Sequence, residues 1–121
     1  MKQVLIVDDS YQVRQRIAAL LNESPQIRIA GEAGSGREAI EAVANIRPDT
    51  VILDILLPDE NGIALLKRFK ADYPQMKVIM LTNLDHPLYR QKCRRLGADH
   101  FLSKTDQFES IVEVVTDHPE L

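Results

Sequence analysis

The sequence predicts an α/β fold: a doubly wound, five-stranded parallel sheet in the order 2-1-3-4-5, with five helices packed on its two faces. Three observations carry that expectation. Short apolar runs alternate with stretches of helical period along the whole chain. The runs are continuous rather than alternating, as strands covered on both faces require. Residues that start and stop helices stand where the two patterns change over.

Strand 1 is read at Val4-Leu5-Ile6-Val7, and Val13, Ile17, Leu20 and Leu21 then share one face of helix 1. Strand 2 is Ile27 to Ala30. Ser35-x-x-Glu38 has the form of a capping box opening helix 2, whose stripe is Ile40, Val43 and Ile46. The glycines at 31, 34 and 36 invite a nucleotide reading, but their order is wrong for G-x-G-x-x-G and no Gly-Lys-Ser/Thr follows. The stretch reads as a turn into a helix capped by Ser35, and the first loop, where a flavin or dinucleotide phosphate would dock, is acidic and lacks glycine. Strand 3 is Val51-Ile52-Leu53, followed by Leu66, Phe69 and Tyr73 on helix 3. Strand 4 is Val78 to Leu81, and helix 4 carries Tyr89, Cys93 and Leu96 before Gly97 ends it in a left-handed residue. Strand 5 is His100-Phe101-Leu102. Asp106-x-x-Glu109 opens helix 5, with Phe108, Ile111, Val112 and Val115 as its apolar face.

A chain of 121 residues is one domain, 1–121, with no linker inside it. With 45% apolar and 27% charged residues it is composed like an ordinary globular protein, and its apolar runs are too short to span a bilayer. No secretory signal is visible, and the lone Cys93 suits a reducing compartment, so a cytoplasmic location is expected. A net charge of −3 argues against direct nucleic-acid binding. Arg90, Lys92, Arg94 and Arg95 make helix 4 basic, which reads first as a solvated face and second as a docking surface. His86, His100 and His118 lack the spacing of a zinc site.

In sheets of this kind the working residues stand at the carboxyl ends of the strands. Those ends are Asp8 and Asp9 on strand 1, Asp54 on strand 3, Thr82 on strand 4 and Lys104 after strand 5. Three carboxylates and one ammonium give a local charge of −2. Two like charges ~4 Å apart repel by roughly 4 kcal/mol at an effective dielectric near 20. A small divalent cation relieves this, and all-oxygen donors favour Mg²⁺, Ca²⁺ or Mn²⁺ over zinc. Mg²⁺, with Mn²⁺ as a substitute, suits so few protein ligands because it keeps several waters. With the charge neutralised, one carboxylate can attack phosphorus, while Lys104 and Thr82 contact phosphoryl oxygens.

The segments VLIVDDS, PDTVILDILLPDENG, VIMLT and GADHFLSK resemble, in order and spacing, the signature blocks of bacterial two-component response-regulator receiver domains. The resemblance runs from Val4 to about Val115 and implies the flavodoxin-like receiver fold. It implies that Asp54 is the phosphoacceptor, that Asp8 and Asp9 bind Mg²⁺ (Asp9 directly, Asp8 through water), and that the Leu56 backbone carbonyl is a further metal ligand. It implies that Thr82 is the switch hydroxyl, Lys104 the phosphoryl-contacting lysine and Phe101 the aromatic that turns inward on activation. The implied phosphodonor is a sensor histidine kinase or a phosphotransfer protein. The implied output surface is helix 4, strand 5 and helix 5, meeting a downstream protein or a second copy. On this reading the chain is no enzyme beyond its own phosphorylation and slow dephosphorylation.

The chain departs from the family's habit at several positions. Leu56 and Leu84 are apolar where side chains flank the path of attacking water, which should slow loss of the phosphoryl group. Asn83 stands where a small residue is usual. Phe101 has no hydroxyl. Thr105 follows Lys104 where many members have a cis-proline, so the loop is either strained or differently routed. The alternatives kept are a pseudo-receiver that binds partners without phosphorylation and a Mg²⁺-dependent phosphohydrolase, which lacks a general acid at Ile55 or Leu56. Residues 31–40 look like receivers that precede a helix-turn-helix output domain, and the tail Thr116 to Leu121 does not decide between a stand-alone receiver and part of a longer protein.

Overall fold

The computed structural model describes residues 1–117; His118 and the rest of the tail lie outside the described residues. Strands β1 (Lys2–Val7), β2 (Ile27–Ala33), β3 (Thr50–Leu53), β4 (Lys77–Thr82) and β5 (His100–Ser103) form one parallel sheet in the order β2-β1-β3-β4-β5. Helices α1 (Tyr11–Leu21), α2 (Gly36–Ile46), α3 (Gly62–Asp72), α4 (Pro87–Arg95) and α5 (Ile111–Thr116) make the crossovers and the final layer. The predicted fold is the observed one.

The continuous apolar runs have a direct physical use. Leu5, Val7, Val51, Leu53, Val78 and Met80 point to the face covered by Ala39 and Val43 of α2, Leu65, Leu66 and Phe69 of α3, and Cys93 of α4. Their strand neighbours Val4, Ile6, Ile52, Ile79 and Leu81 point the other way, onto Ile17 and Leu21 of α1 and Ile111 and Val115 of α5. Each such side chain contributes about 1.5–3 kcal/mol by leaving water. A polar residue in any run would disturb one of the two cores.

Several local expectations change. Strand β2 runs on to Ala33, with a register shift against β1 between Val4 and Leu5. In α2 the expected Val43 is fully buried and is joined by Ala39, while Ile40 packs only partly buried against the core, and Tyr89 is 38% exposed rather than part of a buried stripe. Ser35 does cap α2 by accepting from the Glu38 N–H, but Glu38 reaches back to the Gly34 N–H, one residue before the capping position. Asp106 caps nothing. The chain enters α5 through a 3₁₀ turn, Phe108–Ser110, preceded by Gln107, whose side chain instead accepts from the Ser103 N–H. Gly97 ends α4 at φ 99° as expected, with the Ala98 N–H closing on the Cys93 carbonyl.

Register decides what meets at the carboxyl edge. Val7 lies opposite Leu53 and Leu53 opposite Met80, so Asp8 and Asp54 leave the sheet side by side. The Asp54 N–H still donates to the Val7 carbonyl, at 3.2 Å. Thr82 lies opposite Ser103, and the Lys104 N–H donates to the Thr82 carbonyl at 3.0 Å. No peptide bond among the described residues is cis, so Thr105 follows Lys104 along an ordinary trans path.

Candidate functional site

Asp8 is buried where β1 ends. Its Oδ1 accepts from the Ser10 N–H at 2.9 Å, a local turn that also presents Ser10 to cap α1. Its main chain is fixed by Arg14 of α1, which donates to the Asp8 carbonyl at 2.6 Å and pairs with Glu32 of β2 at 2.9 Å. Asp9 is exposed and caps nothing, leaving its carboxylate turned to solvent beside Asp8.

Asp54 follows β3 and is 5% exposed. Its Oδ1 accepts from the Ile55 N–H at 2.7 Å. The loop that follows is shaped by close packing of backbone on backbone. Gly62 donates to the Ile55 carbonyl at 2.7 Å, and a Cβ at Gly62 would lie 1.9 Å from the Asp54 carbonyl oxygen. Only glycine fits there. Asn61 caps α3 through the Ile63 N–H, and Asp59 reaches across to accept from the Gly36 and Arg37 N–H groups that open α2. Those two amides, Gly36 first, hold the Asp59 carboxyl below its ordinary value.

Lys104 links the strand ends. Its Nζ lies 2.7 Å from Asp8 Oδ2 and 2.8 Å from Asp54 Oδ2, with the three side chains nearly closed to solvent. Burial alone would pull the ammonium's pKa down; hydrogen bonds to Asp54 and Asp8 outweigh it and leave the pKa raised. Asp8 is raised too, because burial penalises its charge more than Lys104 and the Ser10 N–H relieve it, and Asp54 adds repulsion. Thr82 is fully buried, its hydroxyl accepting from the Leu84 N–H at 3.2 Å. A hydroxyl that accepts there keeps its own proton to donate.

Carboxylate oxygens of Asp8, Asp9 and Asp54 lie within 4.8 Å of one another, so these residues can gather on one cation. The donor set is all oxygen, and two of the three groups are buried, which suits a hard divalent ion. Leu56, two residues after Asp54, is 59% exposed. Phe101 sits apart, half-buried on β5. Arg90 stacks 4.7 Å over its ring and donates to its carbonyl at 2.9 Å, so Arg90 belongs to this contact and not to a purely solvated face.

The structure therefore brings Asp8, Asp9, Asp54, Thr82 and Lys104 to one edge and puts Phe101 on the adjoining strand. Sequence reasoning missed Arg14, Asp59, Gly62 and the pair Asp85–Ser103. Only Gly62 left a signal, as a glycine directly after a helix-capping asparagine.

Residues 4–116 match the family model of the response regulator receiver domain. The response regulator protein VraR of Staphylococcus aureus is 36% identical over 115 residues, covering 93% of this chain and 54% of that protein. The chain thus spans about half the length of the curated relatives it matches. The response regulator domain of Thermotoga maritima CheB superposes with a TM-score of 0.85 at 27% identity, covering 98% of this chain and 99% of that one. A chain in the CheX–CheY–BeF3–Mg²⁺ complex from Borrelia burgdorferi gives 0.87 at 28% identity, covering 94% and 86%.

Proposed function

We propose, on the premise that this chain belongs to the response regulator receiver domain family, that Asp54 accepts a phosphoryl group from a histidine phosphate on a sensor kinase or phosphotransfer protein. The observation that carries this reading is the Lys104 ammonium between Asp8 and Asp54, at 2.7 and 2.8 Å. A carboxylate can attack a phosphoryl group only where negative charge is offset and the attacking oxygen is aimed. Here the Ile55 amide fixes one Asp54 oxygen and Lys104 the other.

The bonding change is simple. A new bond forms between an Asp54 oxygen and phosphorus as the donor's nitrogen–phosphorus bond breaks, and the departing imidazole keeps its electron pair and takes up a proton. Lys104 passes from the carboxylate to a phosphoryl oxygen, and the Thr82 hydroxyl donates to another. Asp8, Asp9, Asp54 and the Leu56 main-chain carbonyl would hold Mg²⁺, or Mn²⁺ in its place. That ion, when bound, supplies the positive charge that the carboxylates and phosphoryl oxygens require.

Phosphorylation adds negative charge and acceptor oxygens. Drawing Thr82 toward them frees room for the Phe101 ring, and Arg90 carries that change to α4. The surface that responds is α4, β5 and α5. A groove of about 390 Å³ between them, lined by Arg90, Arg94, His100, Phe101 and Glu113, offers a downstream protein or a second copy both signs of charge. Residues 1–121 act as one receiver domain in the cytoplasm without touching nucleic acid themselves. No helix among the described residues is long and apolar enough to cross a membrane.

Intact-mass measurement after incubation with Mg²⁺ and a phosphorylated phosphotransfer domain tests the reading. Wild type should gain one phosphoryl group, and Asp54→Asn none. No gain in wild type would leave a phosphorylation-independent interaction module.

A further inference from the structure

Nothing covalent fixes the turn that aims Lys104, since residue 105 is threonine and not proline. The Ser103 hydroxyl occupies that turn. Ser103 is 3% exposed at the end of β5, and its Oγ lies 3.2 Å from Asp85 Oδ2, 3.3 Å from Thr105 Oγ1 and 3.2 Å from the Thr105 nitrogen. A serine hydroxyl has one proton to give and two lone pairs to fill. Asp85 only accepts and so takes the proton; the Thr105 N–H and Thr105 hydroxyl fill the lone pairs. The hydroxyl is saturated.

Its partners come from both sides of the site. Asp85 lies in the β4–α4 loop, three residues after Thr82, and Thr105 directly follows Lys104. Lys104 itself donates its N–H to the Thr82 carbonyl, and Gln107 closes the turn through both the N–H and the carbonyl of Ser103. Lys104 is thereby held on both sides in the backbone, and its turn is tied to the loop that carries Leu84.

We propose that Ser103 is a positioning residue for Lys104 and that Asp85 latches it, so that the β4–α4 loop and the Lys104 turn move as one unit. This rests on the reading of Lys104 as a phosphoryl-contacting group. Rigid aim matters because a displacement of about 1 Å at a reacting group costs up to ~100-fold in rate.

The test uses Ser103→Ala, Ser103→Thr, Asp85→Ala and Asp85→Asn in the full chain. Two readouts are taken: the rate of phosphorylation by a phosphorylated phosphotransfer domain, and the NMR signal of the Lys104 ammonium in the unphosphorylated protein. That signal is visible only while both carboxylates protect it from exchange. Urea midpoints and Mg²⁺ titration accompany them. Ser103→Ala and Asp85→Ala should be slower by roughly 10- to 100-fold and should lose the ammonium signal, while Mg²⁺ affinity does not fall, since the carboxylates are untouched and the loosened ammonium competes less for their oxygens. Ser103→Thr and Asp85→Asn keep the bonding atoms and should restore both readouts. A wild-type ammonium signal in folded Ser103→Ala overturns the proposal, as does failure of Ser103→Thr to restore it. If wild type takes up no phosphoryl group, the reading of Asp54 falls, and the ammonium signal still decides whether Ser103 aims Lys104.

Discussion

Replacing Lys104 by methionine should destabilise the protein without metal and yet strengthen its grip on Mg²⁺. The ammonium lies 2.7 Å from Asp8 and 2.8 Å from Asp54. At an effective dielectric near 20, each contact is worth about 6 kcal/mol of Coulomb attraction. Removing the ammonium from water takes several kcal/mol back. Methionine removes both terms but leaves two buried carboxylates whose oxygens lie within 4.8 Å, repelling by at least about 3 kcal/mol on the same scale. A net loss of about 3–5 kcal/mol follows, in the range for breaking a buried ion pair by deleting one partner.

Urea unfolding followed by far-ultraviolet circular dichroism, in EDTA and then in Mg²⁺, measures both halves. In EDTA the variant should lose the stated stability. In Mg²⁺ it should recover much of it, with an apparent affinity raised about tenfold or more, because one cation no longer competes with another for the same oxygens. The pH dependence has a definite sign. The Lys104 pKa is raised in the folded state, so its contribution is complete below its ordinary value of 10.5 and fades as pH rises through the folded value. The variant should lack that alkaline decline. A Lys104→Met protein within about 1 kcal/mol of wild type in EDTA would refute the view that this ammonium holds the carboxylates together.

Gly62→Ala should cost about 3–5 kcal/mol, because its Cβ would stand 1.9 Å from the Asp54 carbonyl oxygen and the buried backbone must move; thermal denaturation checks this, and a loss under 1 kcal/mol counts against the packing described. Asp59→Asn should flatten the acid limb of stability. The Asp59 pKa is lowered in the fold, so its contribution is present above its ordinary value of 3.8 and disappears as pH falls through the folded one; urea titrations at several acid pH values would show identical slopes if the tie to α2 were unimportant. Leu56→Asn and Leu84→Glu should speed loss of the phosphoryl group. One hydrogen bond to attacking water is worth about 1 kcal/mol, or roughly fivefold in rate, and decay followed by intact mass that is no faster than wild type would show that the two leucines do not slow the reaction.

The sequence showed the sheet clearly because each strand must satisfy two cores at once, and that demand writes an unbroken apolar run. Helix faces were less legible. Ala39 and Tyr89 departed from expectation because a helix stripe is wide enough for a small residue to take the central place and an aromatic one to tip outward. The five polar residues at strand ends were visible because parallel register puts them at one edge whatever the loops do. Their supports were not. Arg14, Asp59 and Asp85 are charged residues on helices or loops, the commonest residues of any solvated surface, and only the path of the chain decides which of them finds a buried partner.

The two kinds of residue answer different physical demands. Asp8 and Asp54 are one residue past paired strands, so their spacing is set by hydrogen-bond register and hardly varies as side chains move. Thr82 is paired with Ser103 and Lys104 directly follows, so register fixes their main chain too; what it leaves open is where the hydroxyl and the long ammonium arm point, and there single ties act, Leu84 on the Thr82 hydroxyl and Asp85 on Ser103. On the proposed reading this division suits a switch: the carboxylates would stay put to hold a cation in either state, whereas the hydroxyl and the ammonium tip would pass between two positions separated by a few kcal/mol. Bonds that are individually worth about 1 kcal/mol are the right size for the second task and too weak for the first.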